Sequence, residues 1–213
     1  MNVLDRALSD AEWWRLIRYA EAVRGDGPLT GLPLASVHPS VSELIRVRDL
    51  AALWLMGHCG LRVGELVKLP WEAVWADGAV VTRIEVGSEV AKGSRPRVVG
   101  VDSFVLGALG RLRVVADGVL GGVSQRRVLG CGPSWRAIGV RGVQRKVSEL
   151  GLASLGRPVG CHQLRHTFAV RIRRRSDIAV CQRLLGHACL SSTAVYAGVT
   201  ADECDGAVMG LSV

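Results

Sequence analysis

The stretch 50–61 is the most apolar part of the chain, and residues 50–56 are apolar on every face of a helix. A helix without a polar face belongs in the middle of a core, where other elements surround it. A capping-box pattern at 40–43 predicts where this helix begins, and Gly57 and Gly60 predict where it ends. The run falls short of the roughly 20 apolar residues that cross a bilayer, so we expect a soluble, cytoplasmic chain built around one central helix.

The remaining pattern is helical except in one place. Residues 79–86 and 97–101 are rich in β-branched side chains and enclose a polar, glycine-containing stretch, which predicts a β-hairpin. Helices are predicted over 9–24, 40–56, 63–69, 103–115, 134–150, 162–174, 177–186, 191–197 and 200–211. The expected fold class is mainly α (α+β), a helical domain with a small antiparallel β-hairpin. The expected organisation is an N-terminal helix with a Gly/Pro linker (1–39), a main domain (40–199) and a tail (200–213).

The charge balance indicates the class of partner. The 213-residue chain carries 27 basic and 19 acidic residues, a formal net charge of +8 and a pI near 9.7. These values favour a polyanionic partner, and nucleic acid is favoured over a membrane because no long basic amphipathic stretch occurs. Lysine occurs only at positions 68, 92 and 146, and every other basic residue is arginine, which suits bidentate phosphate contacts. The six cysteines form no CxxC pair, so we interpret them as buried side chains in a reducing compartment.

Motifs of several other enzyme classes are incomplete or missing. HQLRH at 162–166 places two histidines at the spacing of a zinc-binding helix, but Gln163 stands where zinc proteases need a glutamate. No pair of cysteines or histidines has zinc-finger spacing, and the sequence contains no P-loop, GxGxxG or GxSxG. We therefore expect neither a metal nor a cofactor.

Four separate segments indicate one family when they are taken together. They are GLRVGELVKL at 60–69, AKGSRPR at 91–97, HQLRHTFA at 162–169 and LLGHACLSSTAVY at 184–196. In this order and in a helix–hairpin–helix context, they resemble the catalytic domain of the tyrosine recombinases, the phage-integrase family of site-specific DNA recombinases. The resemblance covers residues 40–197, which makes the main domain the expected catalytic domain.

The resemblance implies a role for each residue that matches the family's pattern. The implied catalytic residues are Arg62, Lys92, His162, Arg165, His187 and Tyr196, with Glu65 as a supporting carboxylate. Arg62 and Arg165 would clamp the scissile phosphate, Tyr196 would be the nucleophile, and Lys92 would protonate the leaving oxygen. The two histidines would lie around the same phosphate.

These residue types suit attack on a phosphodiester. Negative charge builds on the nonbridging oxygens, and guanidinium groups stabilise it with paired hydrogen bonds. A tyrosine with a pKa of about 10 must lose a proton as it attacks, and His162 is the candidate acceptor, in competition with His166. The leaving 5′ hydroxyl needs a proton that lysine can give and arginine holds too tightly, which favours Lys92 over Arg95 and Arg97. A phosphotyrosyl bond keeps the energy of the broken ester, so no ATP is required. Arginines and a lysine stabilise the developing charge, so no metal is required either.

The expected partners follow from the same resemblance. They are double-stranded DNA with a specific target site, a homotetramer on synapsed sites and, optionally, an accessory DNA-bending protein, with the protein on the nucleoid when bound. Several arginines are expected to contact the phosphate backbone: Arg95, Arg97, Arg171, Arg173, Arg174 and Arg175. Residues 207–211 would either dock on a neighbouring subunit or pack as a helix within the same chain.

Each of these residues also has a purely structural interpretation. In that case Arg165 pairs with Glu149 or Asp177, and Tyr196 is half-buried with a bonded hydroxyl. Two other functions use the same residues: a type IB topoisomerase, which rotates and reseals one duplex, and a DNA-binding regulator that keeps the fold without the chemistry. Relaxation of any supercoiled plasmid would favour the first, and DNA-dependent activity that survives Tyr196→Phe would favour the second.

Overall fold

A computed structural model describes residues 7–22, 39–87, 96–122, 126–131, 134–186 and 200–212. In this part of the chain the architecture is mainly helical with small antiparallel two-stranded sheets, which confirms the predicted fold class. The helices are α1 (Asp10–Ala22), α2 (Pro39–His58), α3 (Val63–Leu66), α4 (Ser103–Leu120), α5 (Val140–Leu155), α6 (Cys161–Arg175), α7 (Ile178–Leu185) and α8 (Ala201–Met209), with 3₁₀ turns at Trp71–Ala73 and Gly210–Ser212. The strands are β1 (Trp75–Ala76), β2 (Ala79–Val80), β3 (Arg83–Val86), β4 (Arg97–Gly100), β5 (Gly130–Cys131) and β6 (Arg136–Ala137). None of the described helices combines the length and the apolar character that a membrane span requires.

The helix α2 lies at the centre of the core, as its apolar sequence predicts. It packs against α1, α4, α5 and α6, and Leu53, Leu55 and Met56 are fully buried. Gly57 allows the close approach of α1, because a Cβ there would lie 2.2 Å from the ring of Trp13. Burial of a large aliphatic side chain contributes about 1.5–3 kcal/mol, so each of these side chains adds substantially to stability.

The region predicted as one hairpin contains two. The strand β1 pairs with β2, and β3 pairs with β4 with Val86 opposite Arg97, both pairs being antiparallel. The prediction of one strand over 79–86 was wrong, because Ala79 and Val80 pair with the preceding strand β1 across a tight turn. Asp77 and Gly78 form that turn with φ of 51° and 79°, the left-handed geometry of a two-residue hairpin loop.

The helix α5 begins and ends later than predicted. Residues 134–139 precede it, and β6 forms within them. The buried Trp135 donates from its indole Nε1 to the carbonyl of Arg127 at 3.1 Å. This hydrogen bond and the burial of the ring hold the stretch out of the helix. Gly156, with φ of 70°, ends α5 in a left-handed cap.

The other predicted helices differ less from the structure. The helix α4 continues past residue 115 to a left-handed cap at Gly121, and α3 is a single turn that ends at Leu66. The predicted helix over 191–197 lies outside the described residues, and so do residues 25–38 of the predicted linker.

The helix α1 belongs to the same hydrophobic core as the elements that follow it. Ser9 and Glu12 form the predicted capping box, with the backbone N–H of Ser9 donating to Glu12 Oε2 at 2.9 Å. The backbone N–H of Leu8 donates to the hydroxyl of Thr167 on α6, and Trp13 is fully buried against α2. The N-terminal helix is therefore packed onto the main domain, and the domain boundaries themselves remain a prediction.

A polar cluster, which we call the His58 cluster, connects α1, α2, α4 and α6 through His58, Asp102, Arg171, Asp10 and Trp13. Its members are buried except for Asp10, whose side chain is 65% exposed. His58 Nδ1 lies 2.5 Å from Asp102 Oδ2, and His58 Nε2 faces Arg171 Nη1 at 3.4 Å. Arg171 also donates to Asp10 Oδ1 at 2.9 Å and lies over the ring of Trp13. Asp102 in addition caps α4 by accepting a backbone N–H of its first turn. Burial is the strongest influence on His58 and lowers its pKa, so the ring is neutral at pH 7.

Four cysteines, Cys59, Cys161, Cys181 and Cys204, are buried free thiols. Burial raises the pKa of each, to about 11 for Cys161, so they stay protonated at neutral pH. In the described part of the chain, no group of three or more histidine, cysteine, aspartate or glutamate side chains is placed to hold a metal ion.

Candidate active site

A sharp turn after α2 sets the position of Arg62. Gly60 has φ of 62°, and a Cβ there would lie 2.4 Å from the ring of Phe168 on α6, so this crossing requires glycine. Arg62 stands at the N-cap of α3, and its backbone N–H donates to Glu65 Oε2 at 2.8 Å. The single turn of α3 thus places the side chains of Arg62 and Glu65 next to each other.

The carboxylate of Glu65 is the centre of what we call the Glu65 cluster, formed by Arg62, Glu65, Arg97 and Arg165. Arg97 donates to both carboxylate oxygens, at 2.9 Å to Oε1 and 2.7 Å to Oε2. Arg62 Nη1 lies 3.1 Å from Oε1, and Arg165 Nη1 lies 3.9 Å from Oε2. Burial alone would raise the pKa of Glu65, but the hydrogen bonds and charge of Arg97, with Arg62 and Arg165, lower it to about 2. Glu65 is therefore an anion surrounded by three cations.

Backbone carbonyls hold the guanidinium of Arg165. It donates to the carbonyl of Gly60 and, at 2.5 Å, to that of Leu185 at the end of α7. These two bonds fix the group between α6, α7 and the turn after α2. Burial, followed by the charges of Arg62 and Arg97, lowers the pKa of Arg165 to about 9, so it is still a cation at neutral pH. An anion in contact with Arg165 would oppose that shift by stabilising the charged form.

Arg62 and Arg165 line one cleft of about 370 Å³. Its polar lining consists of Arg62, Glu65, Lys68, His162 and Arg165, and Val140 and Cys161 form part of its wall. His162 is exposed in the first turn of α6. The helices α5 and α6 both begin beside this cleft, after the N-cap residues Gly139 and Gly160, and helix N-termini add positive potential. The cleft can therefore bind a small anion through directed N–H donors, as a phosphodiester group requires.

Comparison with known proteins identifies the family. The profile of the phage integrase family matches residues 37–203. The chain belongs to the phage integrase family. Tyrosine recombinase XerC of Xylella fastidiosa (strain M23) is 36% identical over 152 residues, which cover 70% of this chain and 48% of that protein. Tyrosine recombinase XerD of Pseudomonas aeruginosa is 34% identical over 168 residues, which cover 74% and 52%. The chain thus spans about half the length of the curated relatives it matches.

Solved structures of integrase family members share the fold. A XerA recombinase aligns with a TM-score of 0.65 and 25% identity, over 99% of this chain and 65% of that chain. The catalytic core of λ integrase aligns with a TM-score of 0.54 and 18% identity, over 85% of this chain and 95% of that chain. The second likeness concerns the fold alone, and it confirms the helical architecture expected from the motifs.

The integrase fold brings four of the implied site residues together: Arg62, Glu65, His162 and Arg165. His162 lines the cleft, whereas His166 does not. Arg165 is bound by carbonyls rather than by Glu149 or Asp177, the partners of its structural interpretation. The remaining implied catalytic residues, Lys92, His187 and Tyr196, lie outside the described residues, so their roles remain predictions.

Two of the arginines expected to contact DNA phosphates are buried inside the protein. Arg97 is 7% exposed and pairs with Glu65, and Arg171 is 6% exposed and pairs with Asp10. Both assignments remain predictions, which the burial of the two guanidinium groups in ion pairs disfavours. Arg173, Arg174 and Arg175 are exposed at the end of α6, and Arg95 lies outside the described residues.

Sequence reasoning missed two contributions to the site. Lys68 lines the cleft, and its signal was its place in the same segment as Arg62, six residues further on. Arg97 was assigned to DNA. However, Arg97 and Val99 alternate along β4 with the exposed Val98, and both are buried on the inner side of the strand. That alternation was the signal that Arg97 faces the core.

Proposed function

We propose that this chain carries the strand-cutting centre of a site-specific DNA recombinase, with Tyr196 as nucleophile and a 3′-phosphotyrosine as intermediate. The Glu65 cluster is the observation that supports this most, because Arg62 and Arg165 approach one carboxylate and line one cleft with His162. Membership of the phage integrase family supports it as well, and so do relatives named tyrosine recombinase.

In the proposed step, the phenol oxygen of Tyr196 attacks the scissile phosphorus and the bond from phosphorus to the 5′ oxygen breaks. The phenol proton passes to a base, for which His162 is the candidate, and the leaving oxygen takes a proton from Lys92. The products are a 3′-phosphotyrosyl ester and a free 5′ hydroxyl. Attack by the 5′ hydroxyl of another strand reverses the step and releases Tyr196, so the exchange needs no external energy.

The two cleft arginines would stabilise the charge that develops on the nonbridging oxygens. Arg165 is already fixed by two carbonyls, so its remaining donors are held in place before the substrate arrives. Arg62 is fixed more loosely, with one contact to Glu65 and a partly exposed side chain. His187 is assigned to the same phosphate by its match to the family pattern.

The proposed substrate is double-stranded DNA with a specific target site, cut by a homotetramer on two synapsed sites. Two structural neighbours support this assembly: a XerH recombinase is bound to its difH substrate, and a λ integrase tetramer is bound to a Holliday junction. The exposed Arg173, Arg174 and Arg175 are the candidates for contacts with the phosphate backbone. An accessory DNA-bending protein is an optional further partner.

Covalent trapping tests this function. Wild type, Tyr196→Phe and Tyr19→Phe are each mixed with nicked duplex fragments of the host replicon and denatured with detergent, and any attached strand is sequenced. Tyr19 is the only other tyrosine and is exposed on α1, so its substitution is a matched control for the loss of a phenol. We expect adducts through the 3′ phosphate with wild type and Tyr19→Phe, and none with Tyr196→Phe.

The outcome separates the possible functions. Adducts that survive Tyr196→Phe would refute the assigned nucleophile, and native binding without any adduct would leave a DNA-binding role. Relaxation of any supercoiled plasmid without sequence preference would indicate a topoisomerase. A single enriched sequence among the adducts would identify the target site.

A further inference from the structure

Arg97 is the one arginine of the Glu65 cluster that does not line the cleft. It lies on the inner side of β4, and its side chain is 2% exposed. The two ends of its guanidinium each donate to one oxygen of Glu65, at 2.9 and 2.7 Å. This planar, bidentate geometry is the strongest form of an arginine–carboxylate pair. Arg97 therefore acts on Glu65 and not on a molecule in the cleft.

Without Arg97, Glu65 would compete with a bound anion for the two cleft arginines. Arg62 Nη1 already donates to Oε1 at 3.1 Å, and Arg165 Nη1 lies 3.9 Å from Oε2, so a small side-chain movement would close the second contact as well. Loss of Arg97 would remove two charge-assisted hydrogen bonds from a buried carboxylate, and replacing them supplies the driving force for that movement. Guanidinium donors that bind Glu65 are then no longer directed at the cleft.

We propose that Arg97 is a positioning residue that neutralises Glu65 and so keeps Arg62 and Arg165 available to a phosphate. Three guanidinium groups and one carboxylate together carry two net positive charges. Because Arg97 is paired with Glu65, those two charges belong to Arg62 and Arg165, the arginines of the cleft. Glu65 still orients Arg62 through its backbone N–H and Nη1. The inference rests on the proposed function only in taking a phosphate as the occupant of the cleft.

Binding of inorganic phosphate tests this role without a DNA target. Four proteins are compared: wild type, Arg97→Gln, Arg48→Gln and the double variant Arg97→Gln/Glu65→Gln. Each is titrated with inorganic phosphate at constant ionic strength, and NMR follows the arginine side-chain N–H signals. Arg48 is a matched control, because it is an equally buried arginine that pairs with Asp49 away from the cleft. Thermal unfolding of each variant measures what the loss of a buried arginine does to stability alone.

We expect the Kd for phosphate to rise about tenfold in Arg97→Gln, because the cleft arginines turn to Glu65. It should return to within about threefold of wild type in the double variant, in which no carboxylate competes. Arg48→Gln should bind phosphate like wild type although it is less stable. A purely structural role for Arg97 predicts the opposite order, with the double variant weakest because it lacks both partners.

Three results would overturn the proposal: normal binding by Arg97→Gln, a double variant no better than the single one, or a wild type that binds no phosphate. If Arg97→Gln does not fold, the double variant decides, since it must bind within about threefold of wild type. The recombinase function is tested separately by trapping. Phosphate binding that depends on Arg97, together with the absence of any DNA adduct, would retain this inference and refute that function.

Discussion

The two polar clusters include residues only four positions apart, His58 and Arg62, yet they differ in charge balance. The His58 cluster contains one cation, Arg171, and two carboxylates, and its imidazole is neutral at pH 7. The Glu65 cluster contains three cations and one carboxylate. Buried charge of one sign in excess is unfavourable unless a ligand compensates it, and such arrangements concentrate at functional sites. The excess positive charge of the Glu65 cluster supports its proposed role in binding an anion, which the His58 cluster with its two carboxylates does not share.

The clusters also differ in how they are covered. The ring of His58 stacks on Trp13 and meets the rings of Trp54 and Phe104 edge to face. The Glu65 cluster reaches the cleft through Arg62, whose side chain is 38% exposed. Asp10, at the edge of the His58 cluster, is 65% exposed, and that cluster borders a cavity of about 260 Å³. The exposed charge of the His58 cluster is thus an anion, whereas that of the Glu65 cluster is a cation, which can exchange water for a bound anion. These differences support a stabilising role for the His58 cluster and the proposed phosphate binding by the Glu65 cluster.

Substitution of Arg165 should separate the two clusters most strongly. Arg165→Lys keeps a cation, but it replaces a planar guanidinium, whose two Nη groups donate to the carbonyls of Gly60 and Leu185, by a compact ammonium that cannot reproduce this geometry. We expect strand cleavage to slow by about 10²–10³-fold, measured as the single-turnover rate of adduct formation on the nicked duplex recovered by trapping. Arg171→Lys, the matching change in the His58 cluster, should leave that rate within about twofold. Equal loss in both variants would remove the distinction.

Asp102→Ala should show the next largest effect, on stability alone. The substitution removes the N-cap of α4 and leaves Nδ1 of His58 without its partner, so we expect a loss of about 3 kcal/mol in the free energy of unfolding. Urea unfolding measures it. Thr200→Ala is the control for the cap alone, because Thr200 caps α8 on the surface, and it should cost about 1 kcal/mol. A cleavage rate that falls in folded Asp102→Ala would show that the His58 cluster also serves the reaction.

The sequence predicted the local parts of both regions and missed the contacts between distant elements. Arg62 and Glu65 lie three residues apart, so one helical turn was enough to place them together. The central helix followed from its apolar faces in the same way. Arg165 could be assigned by its match to the family pattern, but its carbonyl partners come from two other elements and carry no sequence signal.

Arginine runs are the clearest failure of sequence reasoning. The sequence predicts one basic patch over residues 171–175, yet Arg171 is buried over Trp13 and paired with Asp10, while Arg173 to Arg175 face solvent. Composition shows the charges in such a run, but the helical phase and the carboxylates of other elements decide which are neutralised. The partner of Arg97 lies 32 positions away along the chain, and no local pattern could supply it.

The two clusters should lose stability in different pH ranges. Burial lowers the pKa of His58 below 6.5. As the pH falls below 6.5, His58 therefore binds a proton in the unfolded chain before it does in the folded chain, and stability declines. The pKa of Glu65 falls from 4.5 to about 2, so the stability that Glu65 contributes above pH 4.5 is lost between pH 4.5 and 2. Urea unfolding across this range should lose the first decline in His58→Gln and part of the second in Glu65→Gln, since Glu12 also has a pKa of about 2. A first decline unchanged in His58→Gln would assign it to other groups.

The smallest expected effect concerns the arginines at the end of α6, where one residue belongs to the His58 cluster and its neighbours face solvent. The logarithm of the DNA association constant falls linearly with the logarithm of salt concentration, by about 0.9 for each phosphate contact. Replacing Arg173, Arg174 and Arg175 by Gln, one at a time, should flatten that line by up to this amount for every residue that touches the backbone. Arg171→Gln should leave the slope unchanged, because its guanidinium is buried and already paired with Asp10. A weaker salt dependence of DNA binding in Arg171→Gln than in the variants of Arg173, Arg174 and Arg175 would mean that the His58 cluster opens when DNA binds.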